Sequence, residues 1–188
     1  MGILKSLLYK GILLGTIVLA GCSGISKYDD NEAAAIVNGQ EITVGDLRFL
    51  YPDDTALDYL NWAIEAELVK QAVTEMDLDI STNLIGEKKR EEFEKLPPKS
   101  TKDQGGKKIR KYAESQAKKL DMTPEDFQRE YAKKIIEQNA YINTYLEAKL
   151  GEADINDGKW IDEFGEEYLD LLEKLMVENE DKIEVLID

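Results

Sequence analysis

The sequence predicts a mainly α domain carrying a small β-hairpin sheet that a C-terminal strand joins. Three observations predict it. Apolar residues recur at 3-4 spacing from Leu57 to Met76, Asn38-Gly39 sits between short apolar flanks, and the last seven residues, "KIEVLID", alternate with a period of two. The first is a helix pattern, the second a tight hairpin turn, the third a strand that needs a partner.

The chain opens on "MGILKSLLYK", with Lys5 and Lys10 and no acid, followed by the uncharged "GILLGTIVLAG". That apolar run is short against the roughly 20 residues a spanning helix needs. A basic start, a short apolar centre and small residues read as a secretory signal. Residues 1–21 are therefore expected to be removed, leaving 167 of the 188 residues and a side-chain charge of −17 in place of −15. The small, polar stretch after Cys22, residues 22–32, reads as a flexible tether, and residues 33–188 as one helical domain.

In the domain, Ala34–Ile42 reads as a hairpin, because Asn38 and Gly39 both tolerate the positive φ of a type I′ turn. Thr43 with Asp46 three residues on forms a capping-box pattern for a short helix ended by Pro52. Leu57, Leu60, Ile64, Leu68, Ala72 and Met76, widened by Ala63, Val69 and Val73, predict a central helix. Ser81 is read as the start of another, running to about Leu96, where Pro97-Pro98 stop it. "PPKSTKDQGGKK" reads as a mobile loop or hinge, with a helix from about Lys107 to Leu120 beyond it. Thr123-Pro124-Glu125-Asp126 is a strong helix start, Phe127, Tyr131, Ile135, Ile142, Leu146 and Leu150 mark the buried face, and Gly151 marks the end. A last helix over about Lys159–Asn179 is expected to bury Ile161, Phe164, Tyr168, Leu172 and Leu175. The closing strand would turn Ile183, Val185 and Ile187 to one face.

Two resemblances join these readings. Leu19-Ala20-Gly21-Cys22 resembles the lipobox of bacterial lipoproteins, which implies cleavage before Cys22 and a membrane lipid on its thiol. Two or more acyl chains hold a protein durably on a membrane, here on its extracytoplasmic face. Val37-Asn38-Gly39, Ile42-Thr43, Asp46-Leu47, "MDLDIS" and "LDMTPEDFQREY" stand in the order found in SurA N-terminal-like domains. PrsA-like foldases and SurA-type chaperones carry that domain, and the likeness covers about residues 33–150. It implies a chaperone- or foldase-like function on unfolded or exported polypeptides. In PrsA-like foldases a parvulin prolyl isomerase domain with active-site histidines accompanies it. This chain has no histidine and only 38 residues after Leu150, so isomerase activity is not carried over.

The residues themselves bound the chemistry. With no histidine, and with Cys22 acylated, the familiar nucleophile–base pairs are missing, no catalytic residue is assigned and no cofactor is expected. Asp162, Glu163, Glu166, Glu167, Asp170 and Glu173 oppose the apolar stripe of the last helix and read as a solvated face. Glu152, Asp154, Asn156 and Glu163 match EF-hand positions 1, 3, 5 and 12. Asp157 replaces the glycine at position 6, so the segment reads as a turn and no metal is expected. The acidity argues against nucleic acid as a partner. Residues 86–120 hold twelve Lys or Arg against six acids, and residues 151–188 three Lys against fourteen acids. Mutual attraction within the chain, or plain solvation, accounts for such a contrast more simply than a lipid-binding patch. Tyr59, Trp62, Phe93, Tyr141, Tyr145 and Trp160, with Tyr112 and Met122, could line a client-binding cleft, although aromatics at helical spacing are ordinarily core. The alternative function is a structural lipoprotein holding one specific protein partner; a carboxylate-based enzyme ranks third.

Overall fold

The structure, a computed structural model, describes residues 24–151 and 160–188, with the side chains of 160–164 left aside. The expected signal, cleavage motif and Cys22, and the EF-hand-like stretch with its Glu152, Asp154, Asn156 and Glu163 side chains, lie outside the described residues. Among those described are α1 (Val44–Leu50), α2 (Leu60–Glu75), α3 (Glu87–Glu94), α4 (Gln104–Lys119), α5 (Pro124–Leu150) and α6 (Trp160–Glu178). Strands β1 (Ala33–Val37), β2 (Gln40–Thr43) and β3 (Ile183–Val185) form an antiparallel sheet in the order β2-β1-β3. The protein is mainly α with a small sheet that the C-terminal strand completes.

The local signals act as expected. Asn38 and Gly39 take φ of 53° and 80°, the two positive values a type I′ turn demands. The Asn38 and Gln71 side chains hydrogen-bond each other, and Gln71 Nε2 donates to the Val37 carbonyl at 3.0 Å, tying the hairpin to α2. Thr43 and Asp46 complete both halves of the capping box on α1. Thr123 Oγ1 accepts from the Asp126 amide at 3.1 Å at the head of α5, and Gly151 at φ 89° follows its end. Asp77 and Asp121 adopt left-handed φ and end α2 and α4, with Leu78 N–H returning to Val73 O and Met122 N–H to Ala117 O.

Two apolar clusters organise the packing. The first joins the sheet to α1, α2, α6 and the C-terminal part of α5, with Val37, Leu47, Ile64, Leu68, Leu172 and Ile187 among its buried members. The second is smaller: Ala113, Ala117 and Phe127, packed by Phe49, Leu96, Tyr112 and Tyr131. The 27 residues of α5, about 40 Å of helix, run through both. Phe49 carries α1 into the second, its ring 5.3 Å from that of Phe127.

Several expectations are corrected. The segment read as a flexible tether is folded from Gly24 onward: Ile25 is fully buried in the first cluster, and the Tyr28 hydroxyl donates to the Asp188 carboxylate at 2.8 Å. The helix expected from Ser81 begins at Glu87. Asp79 accepts from the Ser81 amide and hydroxyl, which holds residues 81–83 in a single 3-10 turn, and extended backbone follows at Leu84. The proline- and glycine-rich stretch is a short anchored turn. Asp103 caps α4 through the Gly106 amide at 2.6 Å, and Arg110 Nε donates to the Pro97 carbonyl at 2.5 Å. A Cβ on Gly106 would come 3.3 Å from Pro97 Cβ and 3.2 Å from Thr101 Oγ1, so the glycine permits that close approach. Met76, expected in the core stripe, is exposed at the end of α2. On the last strand Ile187 is buried and Ile183 half-buried, but Val185, on an edge strand of the sheet, is 52% exposed. Of the two simple readings of the charge contrast, attraction finds no ion pair between 86–120 and 151–188 among the described residues, and solvation stands.

Candidate functional site

A largely apolar concavity lies where α3, α4 and α5 meet. Their sequences dictate it. The short α3 carries one large apolar side chain, Phe93, and none of its residues is buried. Lysine-rich α4 turns Ala113 and Ala117 to the second cluster and leaves Ile109 and Tyr112 on the flank toward α3. On α5, Ile135 and Ile136 are adjacent, hence about 100° apart around the axis, and cannot both face one core. Phe93, Ile109, Tyr112, Tyr131, Ile135 and Ile136 therefore border a groove of about 540 Å³. A shallower extension of about 250 Å³ continues past Phe93 and Ile109 to Pro97.

The groove is braced by polar contacts. Gln128 Nε2 donates to the Phe93 carbonyl at 2.7 Å, fixing α3 on α5. At the other end Asn83 Nδ2 donates to Thr144 Oγ1 at 3.1 Å and to Glu147 Oε2 at 2.8 Å. The floor is an aromatic stack, with Tyr131 5.5 Å from Phe127 and edge-on to Tyr112 at 5.6 Å. The Tyr112 hydroxyl donates to the Leu50 carbonyl. Burial pushes the Tyr112 and Tyr131 phenols up, so both stay neutral hydrogen-bonding groups across the ordinary pH range. The lining is mostly apolar, with Lys108, Gln128, Asn139 and Asn143 supplying polar atoms. Such a surface suits an extended or helical apolar segment with a few polar atoms.

The aromatics singled out from sequence fall into separate environments. Phe93, 60% exposed, stands in the groove. Tyr59, 44% exposed, instead stacks on Tyr51 with ring centroids 4.3 Å apart. Trp62 is half-buried against the first cluster. Tyr141 lines a different cleft of about 320 Å³ among β2, α1, α2 and α5, where Asp46 and Lys134 pair at 3.3 Å. Tyr145 is only 4% exposed and belongs to the first cluster, which removes it from any contact surface. The Trp160 side chain lies outside the described residues. Ile109 and Ile136 were not singled out. Their signals were an isolated aliphatic residue in a lysine-rich helix and the adjacent isoleucine pair.

Carboxylates offer no competing centre among the described residues, where no cluster of three or more His, Cys, Asp or Glu could hold a metal. Burial on its own would raise Asp53, but hydrogen bonds from Arg48 and Lys119 outweigh it and hold the carboxyl below its ordinary range. Glu65 is pushed up by burial, and it borders neither the groove nor the Tyr141 cleft. No described helix is long and apolar enough to cross a membrane. No protein-family model, no curated protein and no solved structure matches the chain.

Proposed function

We propose that this chain is a membrane-anchored, extracytoplasmic chaperone- or foldase-like lipoprotein that binds unfolded or exported polypeptides and lacks prolyl isomerase activity. The groove among α3, α4 and α5 carries the reading: about 540 Å³ bordered by aromatic and aliphatic side chains, with Lys108, Asn139 and Asn143 beside them. Apolar contact with few fixed polar partners binds many sequences weakly, as a holding protein requires. A net charge of −15 keeps a complex dispersed by repulsion. The likeness of residues 33–150 to SurA N-terminal-like domains and the lipobox-like Leu19-Ala20-Gly21-Cys22 support the same reading. Anchoring through an acylated Cys22 would place the groove beside newly exported chains.

Light scattering of several denatured clients, with and without the mature protein, tests this. Suppressed aggregation of unrelated clients is the expected result. Unchanged aggregation throughout, together with capture of one protein from the membrane fraction, would overturn it in favour of a lipoprotein holding a single partner.

A further inference from the structure

The cleft that holds Tyr141 is walled on one side by a free sheet edge. Three consecutive residues of β2, Gln40, Glu41 and Ile42, border it. A strand turning a face to the cleft would offer alternate residues, so β2 offers its edge. No strand lies beyond β2 in the sheet. Gln40 pairs with Val37 across the tight turn and Ile42 with Ala35, so the main-chain groups of Glu41 between them point away from β1. The Thr43 N–H, two residues on and directed the same way, meets the carboxylate of cleft-lining Asp46 at 3.3 Å. The Glu41 N–H and C=O are thus turned to the cleft, and neither has a partner among the described residues.

The other walls have the length of a short strand. Ala63, Ala66, Glu67 and Lys70 lie on one face of α2, and Lys134, Glu137, Gln138 and Tyr141 on one face of α5. Each set rises about 10 Å, the length of about three extended residues. Small side chains at Ala63 and Ala66 leave depth, and Ile42, Leu50 and Tyr141 give apolar flanks. The charges are uneven. Lys134 pairs with Asp46 and Lys70 with Glu67, while Glu41 and Glu137, both exposed, have no cation among the described residues. We infer that the cleft binds an extended segment of another polypeptide as a fourth strand beside β2, with a lysine or arginine opposite Glu41 and an apolar residue on each side of it. Strand geometry sets that pattern. Ile42 is buried, so Glu41 lies on the outer face, and in an antiparallel pair the residue opposite shares that face and exchanges both backbone bonds. Its neighbours point to the core side, where Ala63 and Ala66 leave room. Two backbone bonds and a charge pair make a weak but selective site, unlike the tolerant groove among α3, α4 and α5. The inference does not rest on that groove.

Nuclear magnetic resonance of the isotope-labelled full-length chain in detergent tests it, the probe being a short capped peptide with one lysine between two valines. The Glu41 amide should shift and become protected from hydrogen exchange as peptide is added. Methylating the backbone nitrogen of the peptide's lysine should weaken binding severalfold, and so should glutamate in its place. Glu41→Lys should reverse the choice between the lysine and glutamate peptides. Ala66→Met should fill the floor and weaken binding severalfold with an unchanged unfolding midpoint, whereas Ile109→Asp in the groove should leave it intact. A Glu41 amide indifferent to the peptide, equal binding of the lysine and glutamate peptides, or no loss on backbone methylation would overturn it. A Glu41 amide already protected without peptide would overturn it too, assigning the edge to a segment of the same chain, or to a second copy if protection grows with protein concentration. Client aggregation is not read in this experiment, so its failure leaves the proposed function standing, and the reverse.

Discussion

Lys119 on α4 sets its ammonium 2.9 Å from the Asp53 carboxylate and 2.9 Å from the Tyr51 carbonyl. Gln116 Nε2 donates to the carbonyls of Arg48 and Tyr51 at 3.1 Å. The free carbonyls at the end of α1 are thereby satisfied from α4, and a positive charge sits at the negative end of the helix dipole. This contact joins the groove-bearing helices to the sheet-bearing core. Lys119→Ala should lower stability by about 1–2 kcal/mol, allowing for the partial exposure of Asp53. The exposed neighbour Lys118→Ala should not change it measurably. Urea unfolding midpoints of the two variants separate these outcomes.

The same contact predicts acid sensitivity. Burial works to raise Asp53, yet the bonds from Arg48 and Lys119 prevail and its folded pKa is lowered. Asp46 behaves alike, burial being outweighed by Thr43 and Lys134. A lowered folded value means the unfolded chain binds protons first as pH falls. The stabilisation is complete above the ordinary carboxylate range near pH 4 and is lost as pH drops through the folded values. Asp53→Asn should therefore weaken the fold at neutral pH and flatten the pH dependence below about pH 4. Unfolding midpoints from about pH 3 to about pH 6 give the measurement; parallel curves for the two proteins would contradict it.

What could be read from the sequence was what neighbouring residues decide among themselves. The Asn38-Gly39 turn, the Thr43–Asp46 box and the Thr123-Pro124 start are local chemistry, and the structure has each in place. Ile25 shows the limit. It is the single aliphatic residue in a polar stretch, and its burial in the first cluster, together with the Tyr28–Asp188 and Arg48–Asp30 contacts, ties residues 25–32 to elements distant in sequence. Gly106 reads as a component of a loop because its partner, Pro97, lies across the turn, where Arg110 of α4 also reaches. The groove was illegible for a similar reason. Ile109 and Phe93 become neighbours only once α3 and α4 are both laid on α5.

The C-terminus should contribute unevenly. Ile187→Ala, at a buried position, should cost about 2–5 kcal/mol, and Val185→Ala well under half of that. Deletion from Lys182 removes the β1–β3 pairing and the Asp188 bonds to Tyr28 and Lys27 as well, against a total stability of about 5–15 kcal/mol. Thermal melts of the three variants should fall in the order Val185→Ala, Ile187→Ala, deletion. A deleted form melting with the intact protein would show that the sheet does not need its third strand.

Lipidation of Cys22, as proposed, would have a geometric consequence. Gly24 is closely packed, a Cβ added there coming 3.1 Å from the Asp53 carbonyl oxygen, and Cys22 is two residues earlier in the chain. Two residues reach at most about 7 Å. An acylated N-terminal Cys22 would hold the face around Gly24, Ile25 and Asp53 against the lipid headgroups. Mass analysis of the mature protein should show acylated Cys22, and Cys22→Ser should abolish it. A fluorophore placed at Lys27 should be quenched by headgroup-labelled lipid more than one at Lys108, and equal quenching would exclude a fixed stand-off.

Client holding should follow the groove and ignore the other exposed aromatics. Ile109 is partly exposed and Phe93 more so, hence Ile109→Asp and Phe93→Ser remove apolar wall without opening a core. Both should lose most of the suppression of client aggregation while keeping the unfolding midpoint. Tyr59→Ser breaks the stack on Tyr51 outside the groove and should leave suppression intact. Tyr145→Ala, at a buried position, should cost about 3–5 kcal/mol and reduce activity only through unfolding. None of these forms, nor the parent, should accelerate prolyl isomerisation of a short peptide, since no histidine is present to build a parvulin-type site. If Ile109→Asp holds clients as well as the parent while Tyr59→Ser does not, the binding surface is the Tyr51–Tyr59 stack and the groove serves another partner.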